Sequence, residues 1–237
     1  MNLTVDIGNT RVKWTLFDGE SLVDEGVGLP FPPADHVIYC ATGEIASDVR
    51  HALPENAFHF HSALFARQRL PIKIGYATPA TLGADRVAAA CGAWKVTEGA
   101  PCVVVDAGTC ITVDYVDSTG SYLGGAILPG ISMKFHALHT FTAKLPLLDN
   151  VASDNCPVTG RTTEESMVAG VLTATRFAVD GFVNYYRRKD ARVRVLLTGG
   201  DAGMLADAGM LRDGQCTVQP HLVALGLNEV LKMVNSD

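Results

Sequence analysis

Two stretches of the chain alternate apolar and polar positions on either side of a glycine. Val5–Asp18 reads VDIGNTRVKWTLFD, and one hundred residues after Asp6 the pattern returns as VDAGTCITVDYVD, Val105–Asp117. Successive side chains on a strand point to opposite faces, so each stretch predicts a β-hairpin with its turn at Gly8 or Gly108. Residues 20–28 continue the first hairpin as a third strand. HVIYCATG (36–43) is a short apolar run that predicts a buried strand, followed by a helix over EIASDVRHAL and a short strand in AFHFHS. The alanine-rich ADRVAAACGAWKV (84–96) predicts a helix, because alanine loses no side-chain entropy there.

The pattern breaks at TEGAP and then starts again with CVVVDAGT, ITVDYVD and YLGGAILPG as strands. A long helix is predicted over 161–188, opened by Thr162 with Glu165 three positions on as a capping box. Its apolar stripe is Val168, Val171, Leu172, Thr175, Ala178, Val179, Phe182 and Tyr186. RVRVLLTGGDAGML then gives a strand, a Gly-Gly turn and a helix start, and HLVALGLNEVLKMV a terminal helix. Hairpin, strand and helix thus begin twice, which predicts a duplicated α/β unit with domains 1–99 and 100–237 and a cleft between them.

Composition narrows the function classes. Of 237 residues, 48% are hydrophobic and 19% charged, the balance of a globule able to bury a core. The net charge is −6 and the longest basic run is Arg187–Lys189, which argues against nucleic acid as a partner. Asp6, Arg11 and Lys13 interrupt the first apolar stretch and no eighteen apolar residues run together, so neither a signal peptide nor a membrane partner is expected and the location is read as cytoplasmic. The six cysteines form no C-x-x-C pair and read as reduced, buried thiols. His59 with His61 and His136 with His139 lack a third ligand and read as packing or surface residues.

The chemistry gathers at the glycine corners. A turn bare of side chains leaves backbone N–H groups open to an anion, and Asn9, Thr10 and Thr109 add side-chain donors. Asp6 and Asp106 end their strands there, and a carboxylate beside a phosphate holds a cation or a water. Neither standard nucleotide motif is present: TGGDAGML lacks G-x-G-x-x-G spacing, and no Gly-Lys pair exists for a phosphate loop. Asp85 falls in the first turn of the alanine-rich helix, where the helix dipole favours its ionised form, and Arg86 beside it offers a bidentate donor for an anionic group.

Six phrases in order, DIGNTRVK (6–13), GYATPATLGADR (75–86), DAGTCITVD (106–114), GGAILPG (124–130), GRTTEESMVAG (160–170) and LLTGGDA (196–202), resemble the type III pantothenate kinase family. That family belongs to the superfamily of acetate and sugar kinases, heat-shock ATPases and actin. The resemblance implies an α/β fold of two ribonuclease-H-like domains in tandem with an interdomain nucleotide cleft. It implies ATP-dependent phosphorylation of pantothenate to 4′-phosphopantothenate, the first step of coenzyme A biosynthesis. A sugar or small-alcohol kinase of the superfamily, and a nucleotide-dependent regulator like the Bvg accessory factors, are the alternatives.

By the same resemblance Asp85 is the catalytic base. ATP is bound by Asp6, Ile7, Gly8, Asn9, Thr10, Arg11, Val12, Lys13 and Thr109, with Gly199 and Gly200 bordering the adenine. Pantothenate is bound by Tyr76, Gly83, Ala84, Asp85, Arg86 and Thr163. Asp6 reaches Mg2+, directly or through water, and Asp106 holds a monovalent cation, K+ or NH4+. A homodimer is implied as well. Cys110 stands where the family usually has Ala, and Thr162 where Asn or Ser is commoner.

Overall fold

The computed structural model describes residues 1–65, 69–149, 151, 156–206 and 216–235. The predicted first hairpin forms, with β1 (Asn2–Ile7) antiparallel to β2 (Val12–Asp18). β3 (Ser21–Val27) continues it, and β4 (His36–Ala41) lies parallel to β1 on its other side. With the two-residue β5 (Phe58–His59) this sheet has the order β3-β2-β1-β4-β5. β1 is central, and Leu3, Val5 and Ile7 are accordingly buried together with Leu16, Val37 and Val49.

The six-stranded second sheet runs β11-β10-β7-β8-β9-β6, built from β6 (Lys73–Ile74), β7 (Cys102–Ala107), β8 (Cys110–Val116), β9 (Ser121–Pro129), β10 (Arg194–Thr198) and β11 (Cys216–Val218). The unbroken run Cys102–Val105 is fully buried, as expected of an inner strand with both faces covered. β6 and β11 were not legible in the sequence: two or three residues are too few to show a period.

The chain divides into two compact units, each discontinuous in sequence. The first comprises Met1–Cys102, Asp114–Gly124 and His221–Asp237, the second Val103–Val113 and Gly125–Pro220. Within the first unit, helix α1 (Ser47–Ala52) starts later than the pattern suggested. The residues after β4 turn back instead, Thr42 N–H donating to the Ile7 carbonyl at 3.1 Å. Helix α2 (Ala84–Val96) has the predicted bounds, with everything from Arg86 to Ala93 buried. Its small residues admit α7 (Leu222–Val234) at backbone contact: a Cβ on Gly226 would meet the Ala88 carbonyl oxygen at 1.7 Å, and one on Gly92 the Leu222 oxygen at 2.2 Å.

In the second unit, α3 (Ile131–Thr140) follows β9. The predicted long helix is helical throughout, but a five-residue π-turn, Ala169–Thr173, divides it into α4 (Thr163–Val168) and α5 (Ala174–Lys189). Thr173 donates its hydroxyl to the Pro157 carbonyl and Thr175 to the Val171 carbonyl; such side-chain bonds compete with the regular ladder and accompany its widening. Thr162 caps α4 by accepting from Glu165 N–H, while the Glu165 carboxylate closes on Arg161 N–H, one residue earlier than a standard capping box. Of the predicted stripe, Val171, Leu172, Thr175 and Val179 are buried, and Phe182 and Tyr186 are half-buried. A four-residue helix α6 (Ala202–Leu205) follows β10. All six cysteines are free thiols, four of them buried.

Candidate active site

In the first unit the strand register assembles the site around Asp6. Lys13 is its partner across the hairpin and Cys40 its partner on the parallel neighbour. The Cys40 thiol, fully buried, lies 3.7 Å from Asp6 Oδ1 as a donor. Gly8 N–H closes the turn on the Arg11 carbonyl at 3.0 Å. Asn9, Thr10 and Arg11 are exposed at its tip, while Ile7 is buried and Val12 half-buried. Gly8 and Gly108 lie at the turns, as the pattern predicts, and neither adopts positive φ. At Gly8 the missing side chain serves close approach, since a Cβ would stand 3.2 Å from the Arg11 oxygen.

Burial pushes the Asp6 carboxyl up to about 6, and the charge of Asp85 adds to the rise against a weaker pull from Lys13. Asp6 and Asp85 therefore belong to one electrostatic site. Asp85 sits one residue into α2, whose N-cap Gly83 leaves room for it: a Cβ there would overlap Asp85 Oδ1 at 2.5 Å. The helix start was expected to keep Asp85 low, and the N–H groups of Asp85 and Arg86 do act in that direction. Burial outweighs them, and Asp85 lies above the ordinary carboxylate value, with Asp114 adding to the rise. The reason is that a half-exposed surface helix start and a walled-in one differ in solvation, which sequence does not report.

Arg86 is 8% exposed and its fork is engaged. Nε meets Asp114 Oδ1 and Oδ2 at 3.1 and 3.3 Å, and Nη2 meets Oδ1 at 2.6 Å. The Tyr122 hydroxyl also donates to Asp114 Oδ1, at 2.6 Å. Tyr76, half-buried, packs its ring against Tyr122 with centroids 6.1 Å apart. Asp114 and Tyr122 were missed in the sequence. The signal was present, since Asp114 is a lone charge inside the apolar run ITVDYV, where an ionised group needs a partner.

In the second unit the other glycine corner is built by backbone packing. Gly108 N–H donates to the Cys110 carbonyl at 3.0 Å and Gly130 N–H to the Thr109 carbonyl at 3.1 Å. Thr109 is exposed at this corner. Gly199 has φ +90, and a Cβ would meet the Ala107 oxygen at 2.4 Å and Asp106 Oδ1 at 2.5 Å, so only glycine fits both the conformation and the space. Asp201 N–H secures the same turn to the Ala107 carbonyl at 2.9 Å. The Gly199–Gly200 turn and Asp106 are thus brought together. Thr163 begins α4, on the wall of a hollow of 670 Å³ that Leu138, Leu145, Arg161 and Met167 also line.

No three His, Cys, Asp or Glu side chains converge as a metal cage among the described residues. Mg2+ nonetheless fits the first site. It takes few protein ligands and keeps waters and phosphate oxygens, and Asp6 and Asp85 are two carboxylates whose pKa values stay raised despite the charges of Lys13 and Arg86. Asp106 is an oxygen donor suited to a hard monovalent cation.

A sequence model of the type III pantothenate kinase family matches residues 29–185. Type III pantothenate kinase from Cytophaga hutchinsonii is 34% identical over 237 residues, spanning 98% of each chain, and that from Porphyromonas gingivalis is 35% identical over 243, again 98% of each. The chain belongs to the type III pantothenate kinase family. Membership makes it a kinase, and the sequence resemblance is borne out.

Among solved structures, a conserved putative Baf family transcriptional activator from Campylobacter jejuni is similar with TM-score 0.61 at 22% identity, covering 99% of this chain and 100% of that one. The activator of the 2-hydroxyisocaproyl-CoA dehydratase from Clostridium difficile, with bound ADPNP, gives 0.54 at 14%, covering 99% and 96%. At these identities the likeness concerns fold alone, and it agrees with the actin-like ATPase class that the resemblance implied.

Proposed function

We propose that this chain transfers the terminal phosphoryl group of ATP to pantothenate, giving 4′-phosphopantothenate in coenzyme A biosynthesis, with Asp85 receiving the proton of the acceptor hydroxyl. One observation carries the assignment of the base: Asp85 is a half-buried carboxylate, raised above its ordinary value by desolvation, whose charge acts on Asp6 at the first glycine corner. A carboxylate with a raised pKa is a stronger base and accepts a proton more readily.

Phosphoryl transfer asks the protein chiefly for positioning and charge neutralisation. In this reading the turn Asp6–Lys13 receives the phosphates through its backbone N–H groups, Asn9 and Thr10, and Lys13 offsets their charge. Thr109 is a further donor to ATP. When bound, Mg2+ supplies charge neutralisation at the phosphates, with Asp6 as its protein ligand. Asp106 holds the monovalent cation. Tyr76, Gly83–Arg86 and Thr163 contact pantothenate. A cytoplasmic homodimer completes the proposal.

The test is direct. Purified protein with ATP, Mg2+ and K+ is offered pantothenate and a panel of sugars, and products are weighed by mass spectrometry. Phosphopantothenate is expected; a sugar phosphate without it overturns the assignment.

A further inference from the structure

Arg86 is held in a way that a simple surface donor is not. Its Nε–Nη2 edge is spent on Asp114, which is 1% exposed and is itself held by the Tyr122 hydroxyl. Tyr122 is fully buried, so packing restrains the triad. Nη1 makes no hydrogen bond among the described residues, and 9% of the side chain remains exposed. The half-buried ring of Tyr76 lies within electrostatic reach of the same guanidinium. Gly124, at φ +94, makes room for that ring: a Cβ there would stand 2.8 Å from it.

A buried ion pair gains little stability over apolar packing, because desolvating both charges cancels most of their attraction. What such a pair does supply is orientation. An arginine fixed along one edge presents its remaining N–H donors in a single direction, losing no side-chain entropy when an anion arrives.

We propose that Asp114 and Tyr122 are positioning residues that fix Arg86 so that its free Nη1 edge, next in sequence to Asp85, selects an acceptor alcohol bearing a carboxylate. The inference rests on the functional reading above and adds to it the source of preference for an anionic acceptor. Asp114 is not a competitor for the acceptor: its carboxylate occupies the opposite edge and leaves the outward donors alone.

The experiment compares two acceptors, pantothenate and the corresponding molecule whose carboxylate is reduced to a primary alcohol. Wild type is measured with Tyr122→Phe and Asp114→Asn. Tyr122→Phe preserves the packed ring and removes only the hydroxyl, so it keeps the test available should Asp114→Asn fail to fold. The ratio of kcat/KM for the charged over the neutral acceptor is expected to fall about tenfold in Tyr122→Phe, through KM for pantothenate, the scale of one weakened charged hydrogen bond. Asp114→Asn is expected to lower it further. A purely structural role depresses both acceptors in the same proportion, and an unchanged ratio overturns the inference. Failure of wild type itself to phosphorylate pantothenate defeats the functional reading and the inference with it; wild-type turnover with an unchanged ratio defeats the inference alone.

Discussion

Replacing Asp6 by Asn should make the free protein more stable at neutral pH while removing its ability to use Mg·ATP. Asp6 is half-buried, and its pKa is raised from 3.8 to about 6, first by loss of solvation and then by Asp85. A carboxyl whose folded value lies above its unfolded one binds its proton more tightly in the native state. Its favourable contribution is full below about pH 4, is lost as pH rises through about 6, and stays lost above. At about 1.4 kcal/mol per pH unit the change between those limits is about 3 kcal/mol.

Asn titrates nowhere in this range, so the stability difference between variant and wild type should grow by about that amount from pH 4 to pH 8. Carboxyls remote from Asp6 are common to both proteins and largely cancel in the difference, while the coupling to Asp85 is contained in the Asp6 shift. For a chain of this size about 3 kcal/mol corresponds to roughly 6–12 °C in Tm. The assay is thermal unfolding of both proteins without nucleotide at pH 4, 6 and 8, repeated at pH 8 with Mg·ATP. Nucleotide should raise Tm for wild type and not for the variant. A stability difference that is flat from pH 4 to 8 would refute the argument that Asp6 is a desolvated carboxylate.

Other outcomes follow from the same structure. Asp85→Asn should abolish turnover while calorimetry still detects nucleotide binding; turnover near wild type removes Asp85 from the mechanism. Gly226→Ala should lower stability by about 2–3 kcal/mol or more, since its methyl would enter the Ala88 carbonyl at the α2–α7 crossing, and urea unfolding reads this directly. Gly199→Ala should lose both stability and activity, because φ +90 and the Asp106 carboxylate both oppose a side chain there, and an unfolding curve like wild type counts against that packing. Thr162→Ala removes the α4 cap accepted from Glu165 N–H and should cost about 1 kcal/mol, checked by the same unfolding measurement.

Much of this architecture can be read locally. Alternation around Gly8 and Gly108 predicts the strands β1–β2 and β7–β8, and the alanine run predicts α2 with its observed bounds. Those features obey short-range rules, namely the period of two along a strand and the low entropic loss of alanine in a helix. Where several rules acted at once the reading weakened. The π-turn at Ala169–Thr173 is accompanied by threonine hydroxyls bonded to carbonyls, one of them on Pro157, which apolar periodicity does not register.

Residue chemistry at the site divides along the same line. The order of residues alone determined that Asp6 would end a strand beside a glycine turn, that Asp85 would open a helix and that Arg86 would follow it, because these depend on neighbours a few positions away. Only the tertiary structure decided their charge behaviour. It placed Asp85 near Asp6, stripped both of part of their hydration so that their pKa values rise, and set Asp114, 28 residues distant, on the edge of Arg86. Solvation and Coulomb interaction depend on distance in space and on the water excluded between groups, and neither quantity exists until the chain has folded.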